Sequence, residues 1–328
     1  MKRIVAREYG APDVMKIEQV ELGSPAPNQI KVRNYAVGVN YTDVYMRKRN
    51  EVYLSHKGGA VEAYTPGKEG AGIVLEVGEN VTNFRPGDRV VYTQSIGAYG
   101  EEHIVSANLA MPLPEGLSFA KAASLTLRGL TAHYLVHYTY PVQKGEIAVV
   151  HAATGGVGSI MTQWIKSKGA IVIGTVDREE KKEIAKGLGA DFVINTMTED
   201  IATKVNEFTN GERAHVVYDG VGEAVTKASL NSLRNFGYYV NFGMITGAVN
   251  LDLWDLASHG SLYATFPDLD HHVNDYGKLL TMADDLFTAI MDGTIKIDDP
   301  IELPLAEAPK AHEFLESNKR SKPIVLIP

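Results

Sequence analysis

The sequence predicts an α/β protein that combines a doubly wound parallel sheet with a second, mostly antiparallel β domain. The first observation is a strand, a glycine-rich turn, a helix and a second strand within residues 146–177. The second is the alternation of strand-like and helical segments that follows, which is typical of parallel sheets. The third is a series of short strands separated by Pro, Gly and Asp turns before residue 124, which indicates antiparallel pairing.

Residues 146–177 predict a dinucleotide site. The apolar run Ile147–Val150 suits a strand that is buried on both faces of a sheet. The turn after it has the pattern A-x-G-x-x-G, with Ala153 in the first glycine position, and a segment with apolar residues at helical spacing follows. Glycine permits the sharp turn, and the N–H groups at the helix N-terminus bind a pyrophosphate. In this Rossmann unit the predicted pyrophosphate contacts are Thr154, Gly155, Gly156, Val157 and Gly158.

Length and composition limit the other possibilities. A chain of 328 residues is too long for one ordinary core, so we expect two domains. The net charge of −8 argues against a nucleic-acid partner. The absence of cysteine excludes disulfides, thiol nucleophiles and thiolate metal sites, and it fits a reducing compartment. We find neither a signal peptide nor a membrane-spanning apolar run, so we expect a cytoplasmic protein without a membrane partner.

Local patterns predict the remaining elements. Strands are expected at 30–34, 71–77, 89–93 and 102–105, and helices at 120–127 and 130–138. In the turn before the third strand, Gly87 supplies a positive φ and Asp88 a side-chain acceptor. The segments after residue 177 predict helices at 178–188, 200–209 and 224–233 between strands at 192–195, 215–219 and 237–242. A last helix is expected at 279–292 and a last strand at 323–327.

Six motifs carry a resemblance to a known family, and they occur in the family's order. They are GVNYTD at 38–43, PGKEGAG at 66–72, RPGDRVV at 85–91, LRGLTA at 127–132, HAATGGVG at 151–158 and VYDGVG at 217–222. The chain resembles the medium-chain dehydrogenase/reductase superfamily, and within it the zinc-free quinone oxidoreductases related to zeta-crystallin. This resemblance implies a GroES-like catalytic domain formed by residues 1–124 and 263–328, and a Rossmann domain formed by residues 125–262.

The resemblance also implies that no metal is used. The zinc-dependent branch of the superfamily has a cysteine ligand where this chain has Asn40 and a histidine ligand where it has Lys68. An amide is a poor zinc ligand and an ammonium group repels a dication. We therefore expect hydride transfer to an activated acceptor, because a quinone or an enone needs no Lewis acid.

The choice of nicotinamide cofactor depends on the residues after the second strand. A carboxylate there normally binds the ribose hydroxyls of NADH, which is the role that Asp177 would have. Arg178, Lys181 and Lys182 form a basic cluster just beyond it, and Lys181 matches the lysine that quinone oxidoreductases use on the 2′-phosphate. Counted back from Gly189, Asp177 lies one residue past the usual acidic position. These phosphate partners favour NADPH, with NADH as the alternative.

Motif matching assigns the other candidate contacts. Arg128 and Thr131 are expected at the nicotinamide end and Asn195 or Thr196 near the adenosine, and the other cofactor candidates are Gly220, Phe242, Gly243, Met244 and Lys322. Asn40, Tyr41 and Tyr45 match the family's nicotinamide-facing segment. They are candidates for a hydrogen bond to the acceptor or the carboxamide, with packing as the alternative role of the two tyrosines. No residue is assigned as the proton donor.

The predicted function is that of an NADPH-dependent quinone oxidoreductase with a small-molecule substrate. The alternatives are an enone or other double-bond reductase and a non-enzymatic, crystallin-like NADPH-binding protein. The resemblance implies a homodimer formed by edge strands of the nucleotide-binding sheet. The segment formed by residues 47–64 is longer than is usual in this family. The family resemblance is therefore the weakest guide to the substrate at this segment.

Overall fold

A computed structural model describes residues 1–49, 63–317 and 322–328. Most of the long segment predicted at 47–64 lies outside the described residues. The chain divides into two units. Unit 1 comprises Met1–Leu127, Val273–Phe287 and Ile297–Pro328, and unit 2 comprises Arg128–His272 and Thr288–Lys296.

The described elements are named here in chain order. The strands are β1 Lys2–Ala6, β2 Met15–Gln19, β3 Gln29–Gly38, β4 Glu69–Val77, β5 Arg89–Thr93, β6 Glu102–Ser106, β7 Ala110–Pro112, β8 Ile147–Val150, β9 Ile171–Val176, β10 Phe192–Asn195, β11 Ala214–Asp219, β12 Leu233–Asn241, β13 Tyr263–Thr265, β14 Ile301–Pro304 and β15 Ile324–Ile327. The α-helices are α1 Tyr41–Arg47, α2 Phe119–Tyr134, α3 Gly156–Ser167, α4 Lys181–Gly187, α5 Ile201–Phe208, α6 Glu223–Ser232, α7 Leu253–Ser258, α8 Asp270–Val273, α9 Tyr276–Met291 and α10 Ala308–Glu316. Short 3₁₀ turns are formed by Pro12–Val14, Ala107–Leu109 and Leu305–Glu307.

Unit 1 is built on a mostly antiparallel sheet, as predicted. Its seven strands follow the order β14-β15-β3-β4-β5-β7, with β6 also pairing with β3. Only the pair β14–β15 is parallel among the described strands of this sheet. The turn before β5 has the predicted chemistry, because Gly87 has φ +96° and Asp88 Oδ2 accepts from Arg85 N at 2.9 Å.

Unit 2 is a parallel six-stranded sheet with the order β10-β9-β8-β11-β12-β13. This is the doubly wound Rossmann order, in which the chain leaves β8 toward β9 and later returns to pair β11 on the other side. The four residues of β8 are fully buried, which explains their continuous apolar sequence. The order therefore places the loops after β8 and β11 at the crevice where α/β proteins bind ligands.

Three predicted boundaries are wrong for physical reasons. The two helices expected at 120–127 and 130–138 are one helix, α2, followed by a π-helical turn at Leu135–Thr139. Gly129 costs such a helix only about 1 kcal/mol, and the fully buried Leu125 and Leu130 offset it. Helix α4 begins at Lys181 instead of residue 178, since residues 177–180 form the turn after β9.

The third wrong boundary is the start of β12. The sequence predicts this strand at 237–242, but it begins at Leu233, which pairs with Ala214 before the register shifts to Tyr238 opposite Val216. Phe236, at φ +61°, lies in this irregular stretch. The additional residues of β12 between Leu233 and Tyr238 form a bulge. An alternation of apolar and polar residues in the sequence does not reveal a bulge of this kind.

No helix among the described residues is both long enough and apolar enough to cross a membrane.

Candidate functional site

The glycine turn after β8 leads directly into the N-terminus of α3 in unit 2. Gly155 is the N-cap residue of α3, and its N–H donates to Ala152 O at 2.8 Å. A Cβ added to Gly158 would lie 2.3 Å from that same oxygen, so only glycine lets α3 approach the turn this closely. The predicted residues Thr154, Gly155, Gly156, Val157 and Gly158 are therefore brought together at a helix N-terminus, where orphan N–H groups and the helix dipole favour a pyrophosphate.

Arg128 adds a positive charge beside this turn. A Cβ on Gly156 would lie 3.1 Å from Arg128 Cδ, so the arginine stem passes directly over the start of α3. Thr131 lies one turn further along α2 and is largely buried. Of these two candidates, Arg128 is the one that the contacts place at the glycine turn.

A second group of candidates lies where β9 and β10 end. Lys181 Nζ is 2.7 Å from Asp177 Oδ1, and Arg178 Nε is 3.8 Å from the same oxygen. Asn195 faces Val176 across the strand pair, and its amide donates to Glu179 Oε2 at 3.1 Å. The structure thus brings together Asp177, Arg178, Lys181 and Asn195.

Lys182, the third member of the predicted basic cluster, has other partners. Its ammonium group lies 2.8 Å from Glu199 and 3.3 Å from Glu179, and both pairs raise the pKa of Lys182. The cluster is therefore divided between two cations near Asp177 and one cation held by glutamates.

The loops after β11 and β12 are packed against each other. A Cβ on Gly220 would lie 2.8 Å from the Phe242 ring, and a Cβ on Gly243 would lie 2.5 Å from Gly220 O. Gly222, at φ +97°, has Met244 Cα within 3.1 Å of its added Cβ. The four predicted crevice residues Gly220, Phe242, Gly243 and Met244 therefore form one contiguous loop pair.

Asp219 organises these loops and was not predicted. Its Oδ1 accepts from the N–H groups of Val221 and Gly222 at 2.7 and 2.9 Å, and its Oδ2 accepts from Tyr239 Oη at 2.5 Å. The side chain is fully buried. A carboxylate that ends a buried parallel strand directly before Gly220 is the sequence signal that points to this role.

The candidates in unit 1 surround the start of α1. Asn40 is the N-cap residue, and its side-chain amide donates to Glu69 Oε1 at 2.7 Å. The other carboxylate oxygen of Glu69 accepts from Leu127 N at 2.7 Å. Glu69 is 1% exposed, and it ties the end of β3 to helix α2. Sequence reasoning missed it, although the family motif PGKEGAG contains it.

Tyr41, Tyr45 and Lys322 lie near Asn40 in the fold of unit 1. The Tyr41 hydroxyl donates to Leu315 O at 3.3 Å, and its ring centroid lies 6.2 Å from that of Tyr45. Lys322 is exposed and precedes β15, which runs antiparallel to β3 and accepts a hydrogen bond from Val39 N. All three candidates therefore lie near the end of β3, where Asn40 begins α1.

Asp43 supports Asn40 from inside the core. Its Oδ2 accepts from Asn40 N at 2.8 Å and from Tyr99 Oη at 3.1 Å. Burial raises the pKa of this carboxyl to about 6, although these donors and the nearby Lys68 act to lower it. His312, whose Nε2 lies 3.1 Å from Tyr99 Oη, has its pKa lowered to about 3 by burial.

The raised pKa of Asp43 predicts a specific pH dependence. The folded chain binds this proton below about pH 6 and the unfolded chain only below 3.8, so stability from this group rises as pH falls between these values. Asp43→Asn removes the effect. We expect the stability difference, wild type minus variant, to grow by about 2.5 kcal/mol from pH 7 to pH 4, because the shift is worth about 1.4 kcal/mol per pKa unit and most of it is realised by pH 4.

Urea unfolding of both proteins across this pH range measures that difference. Both proteins retain His103 and His312, whose lowered pKa values make the fold less stable in acid, so the difference between the proteins isolates Asp43. A constant difference from pH 4 to pH 7 would contradict the prediction.

Comparison with known proteins identifies the family. The model named "Alcohol dehydrogenase GroES-like domain" matches residues 26–138, and "Zinc-binding dehydrogenase" matches residues 156–266. Quinone oxidoreductase 1 of Escherichia coli is 40% identical over 330 residues, covering 99% of both chains. The chain belongs to the quinone oxidoreductase family of medium-chain dehydrogenases/reductases. The resemblance stated from the six motifs is therefore confirmed.

Two other members refine the comparison. The structure of Escherichia coli quinone oxidoreductase complexed with NADPH has a TM-score of 0.95, at 38% identity and with complete coverage of both chains. The 2-haloacrylate reductase of a Burkholderia species is 36% identical over 99% of this chain and 98% of its own. The predicted fold class, a Rossmann sheet with a separate mostly antiparallel sheet, is confirmed, and the family contains both quinone and double-bond reductases.

The zinc that one family model names does not fit the residues of this family member. Asn40 uses its amide N–H on Glu69, and Lys68, which stands where the zinc-dependent branch has a histidine ligand, is a buried ammonium group that would repel a dication. Across residues 1–49, 63–317 and 322–328, no three His, Asp or Glu side chains are grouped to hold a metal ion. We therefore derive no reaction step through zinc.

Proposed function

We propose that this protein is an NADPH-dependent quinone oxidoreductase whose reaction needs no metal ion. One observation carries the proposal: a chain that is 40% identical to quinone oxidoreductase 1 of Escherichia coli over 99% of its length has a dinucleotide-type glycine turn at the switch point of its sheet. We also propose that the Rossmann domain binds the dinucleotide and that the GroES-like domain binds the acceptor.

The residues of unit 2 fit a dinucleotide. The turn offers backbone N–H groups where side chains are excluded, and Arg128 adds a cation beside it. At the other end, the Asp177 carboxylate is flanked by Arg178 and Lys181, so these three side chains carry a net positive charge, and Glu180 Oε1 lies 3.8 Å from Arg178 Nε. A 2′-phosphate matches that charge better than a ribose hydroxyl does, which supports NADPH over NADH.

This assignment predicts that Lys181→Gln changes cofactor selectivity. The variant loses one phosphate partner and leaves the Asp177 carboxylate without its nearest cation. We expect KM for NADPH to rise about tenfold, as expected for a charge-assisted hydrogen bond worth roughly 1.5 kcal/mol, while KM for NADH stays within about twofold. Steady-state kinetics with both cofactors measure the ratio.

Lys186→Gln is the matched control for Lys181→Gln. It removes a lysine of the same helix whose partner is the exposed Glu183, five residues from the site. Its selectivity should equal that of the wild type. Equal losses for NADPH and NADH in the Lys181 variant would contradict a 2′-phosphate contact.

The acceptor side of the proposal rests on unit 1. Bound NADPH supplies a hydride, which a quinone takes up together with one proton to become a hydroquinone. Glu69 and Asp43 fix Asn40 at the start of α1, so its amide keeps one orientation. Asn40, with Tyr45 nearby, is therefore our candidate for hydrogen bonding the acceptor or the carboxamide, and Lys322 is a further candidate at the same end of β3.

Turnover with two acceptor panels tests the proposed function. NADPH oxidation is followed with small benzo- and naphthoquinones and, in parallel, with enones and haloacrylates. We expect higher kcat/KM with quinones. The 36% identity to a 2-haloacrylate reductase makes a double-bond reductase the second candidate, which higher kcat/KM with the other panel would favour. Tight NADPH binding without turnover on either panel would favour the non-enzymatic alternative.

A homodimer and a cytoplasmic location are also part of the proposal. Strand β13 lies at the edge of the unit 2 sheet, and Tyr263 and Phe266 at this edge are both about half exposed. An exposed edge strand with apolar side chains favours pairing with a second copy. Sedimentation equilibrium tests the dimer, and cell fractionation tests the location.

A further inference from the structure

A buried histidine, His151, joins three elements beneath the glycine turn. Its side chain is 1% exposed and follows the last residue of β8. The ring Nδ1 lies 3.0 Å from Thr175 Oγ1 on β9, and Nε2 lies 2.9 Å from Ser229 Oγ on α6. The functional candidates described above do not include it, and its partners are both buried hydroxyl groups.

The hydrogen bonds around His151 have one consistent direction. Ser229 Oγ donates to Val225 O at 2.8 Å, so it accepts from the histidine Nε2–H. The ring then accepts at Nδ1 from Thr175 Oγ1–H, and Thr175 Oγ1 accepts in turn from Ala152 N–H at 3.3 Å. Burial lowers the pKa of His151, which keeps the ring neutral and suited to this arrangement. These hydrogen bonds form one continuous series from the backbone of Ala152 to the backbone of Val225.

Ala152 is the residue in the turn that needs such support. It has φ +49°, a left-handed conformation that costs a residue with a Cβ about 1–2 kcal/mol. Its carbonyl accepts from Gly155 N at 2.8 Å and is the atom against which Gly158 packs. Thr175 O also accepts from Ala153 N at 3.0 Å, so Thr175 holds two successive peptides of the turn.

We infer that His151, Thr175 and Ser229 are positioning residues that hold the glycine turn in its phosphate-binding conformation. The inference rests on the proposed function, because it assumes that this turn binds NADPH. When the hydrogen-bonded chain is broken, the turn relaxes in the free protein, and part of the binding free energy is used to restore it. The effect is therefore on cofactor affinity, whereas kcat at saturating NADPH is retained.

Two serines of α6 form a matched test. Ser229 and Ser232 are both fully buried, and each hydroxyl donates to the carbonyl four residues earlier, but only Ser229 also accepts from His151. Ser229→Ala leaves the Nε2–H group unsatisfied, and we expect the Kd for NADPH to rise about tenfold, which equals about 1.4 kcal/mol. Ser232→Ala should leave Kd within about twofold, even where its melting temperature falls equally.

Thr175 supplies an independent pair. Thr175→Val keeps the shape of the side chain but removes the hydroxyl, and it should raise Kd for NADPH about tenfold. Thr175→Ser restores the hydroxyl and should return Kd to within about threefold of the wild type. Calorimetric titration with NADPH gives Kd, and kcat at saturating NADPH should change less than about twofold in each variant.

The possible failures are distinguishable. If the wild type itself has no affinity for NADPH, the proposed function is wrong. If the wild type binds NADPH but Ser229→Ala behaves like Ser232→Ala, or Thr175→Ser loses as much affinity as Thr175→Val, the positioning role is overturned.

Discussion

Gly158→Ala is expected to abolish useful NADPH affinity, raising Kd at least about 100-fold. The added Cβ would lie 2.3 Å from Ala152 O and 3.1 Å from Ala153 Cα, both of them backbone atoms that cannot rotate away. Helix α3 must therefore move off the turn, and the N–H groups that we propose bind the pyrophosphate move with it. A 100-fold loss corresponds to about 2.7 kcal/mol. Calorimetric titration with NADPH measures the change.

Gly187→Ala is the control for this substitution. Gly187 also lies in a helix, α4, but an added Cβ there meets no atom within 4 Å. Because alanine is the better helix former, this variant should be as stable as the wild type or up to about 1 kcal/mol more stable, with unchanged Kd. Circular dichroism checks that both variants fold. Similar NADPH affinities in the two variants would show that the turn does not bind the cofactor.

Arg47→Met should cause the largest loss of stability among the changes considered. The arginine is fully buried in unit 1, where it donates to Gly10 O at 2.6 Å and to His312 Nδ1 at 3.2 Å and pairs with Glu316. Removing it leaves the buried Gly10 O and His312 Nδ1 without this donor, and Glu316 keeps only its more exposed partner Lys48. Breaking a buried ion pair from one side costs about 3–5 kcal/mol. Urea unfolding monitored by circular dichroism measures the loss.

The control for Arg47→Met is Arg7→Met. Arg7 also pairs with a glutamate, Glu18, at 2.8 Å, but its side chain is 68% exposed. Exposed pairs contribute little because water screens them, so we expect a loss of stability much smaller than that of Arg47→Met. Losses of the same size in the two variants would mean that the buried network around His312 does not stabilise unit 1.

Local sequence patterns were sufficient for the parts of the fold that local physics determines. The buried strand Ile147–Val150, the glycine turn after it and the Gly87–Asp88 turn all follow from backbone freedom and apolar periodicity within a few residues. The family motifs added the order of the domains and most of the candidate contacts. These predictions needed no knowledge of which distant segments touch.

The interactions that the sequence did not reveal join distant residues. Glu69 bonds to Asn40, 29 positions away, and to Leu127, 58 positions away. His151 reaches Ser229 across 78 positions, and a buried neutral histidine looks the same in a sequence as an exposed one. Periodicity and turn chemistry describe neighbours along the chain, so such long-range polar partners appear only when the topology is known.

The parallel pairing of β14 with β15 has a consequence for biosynthesis. Strand β15 also pairs with β3, so residues 324–327 lie between β14 and β3 in the sheet of unit 1. All six strands of unit 2 leave the ribosome before β15 does. Because domains fold as units during translation, the Rossmann sheet can be complete while Val37 and Gly38, at the end of β3, still expose an edge that lacks its β15 partner. Nascent chains stalled before residue 324 should therefore be captured by chaperones that recognise that edge.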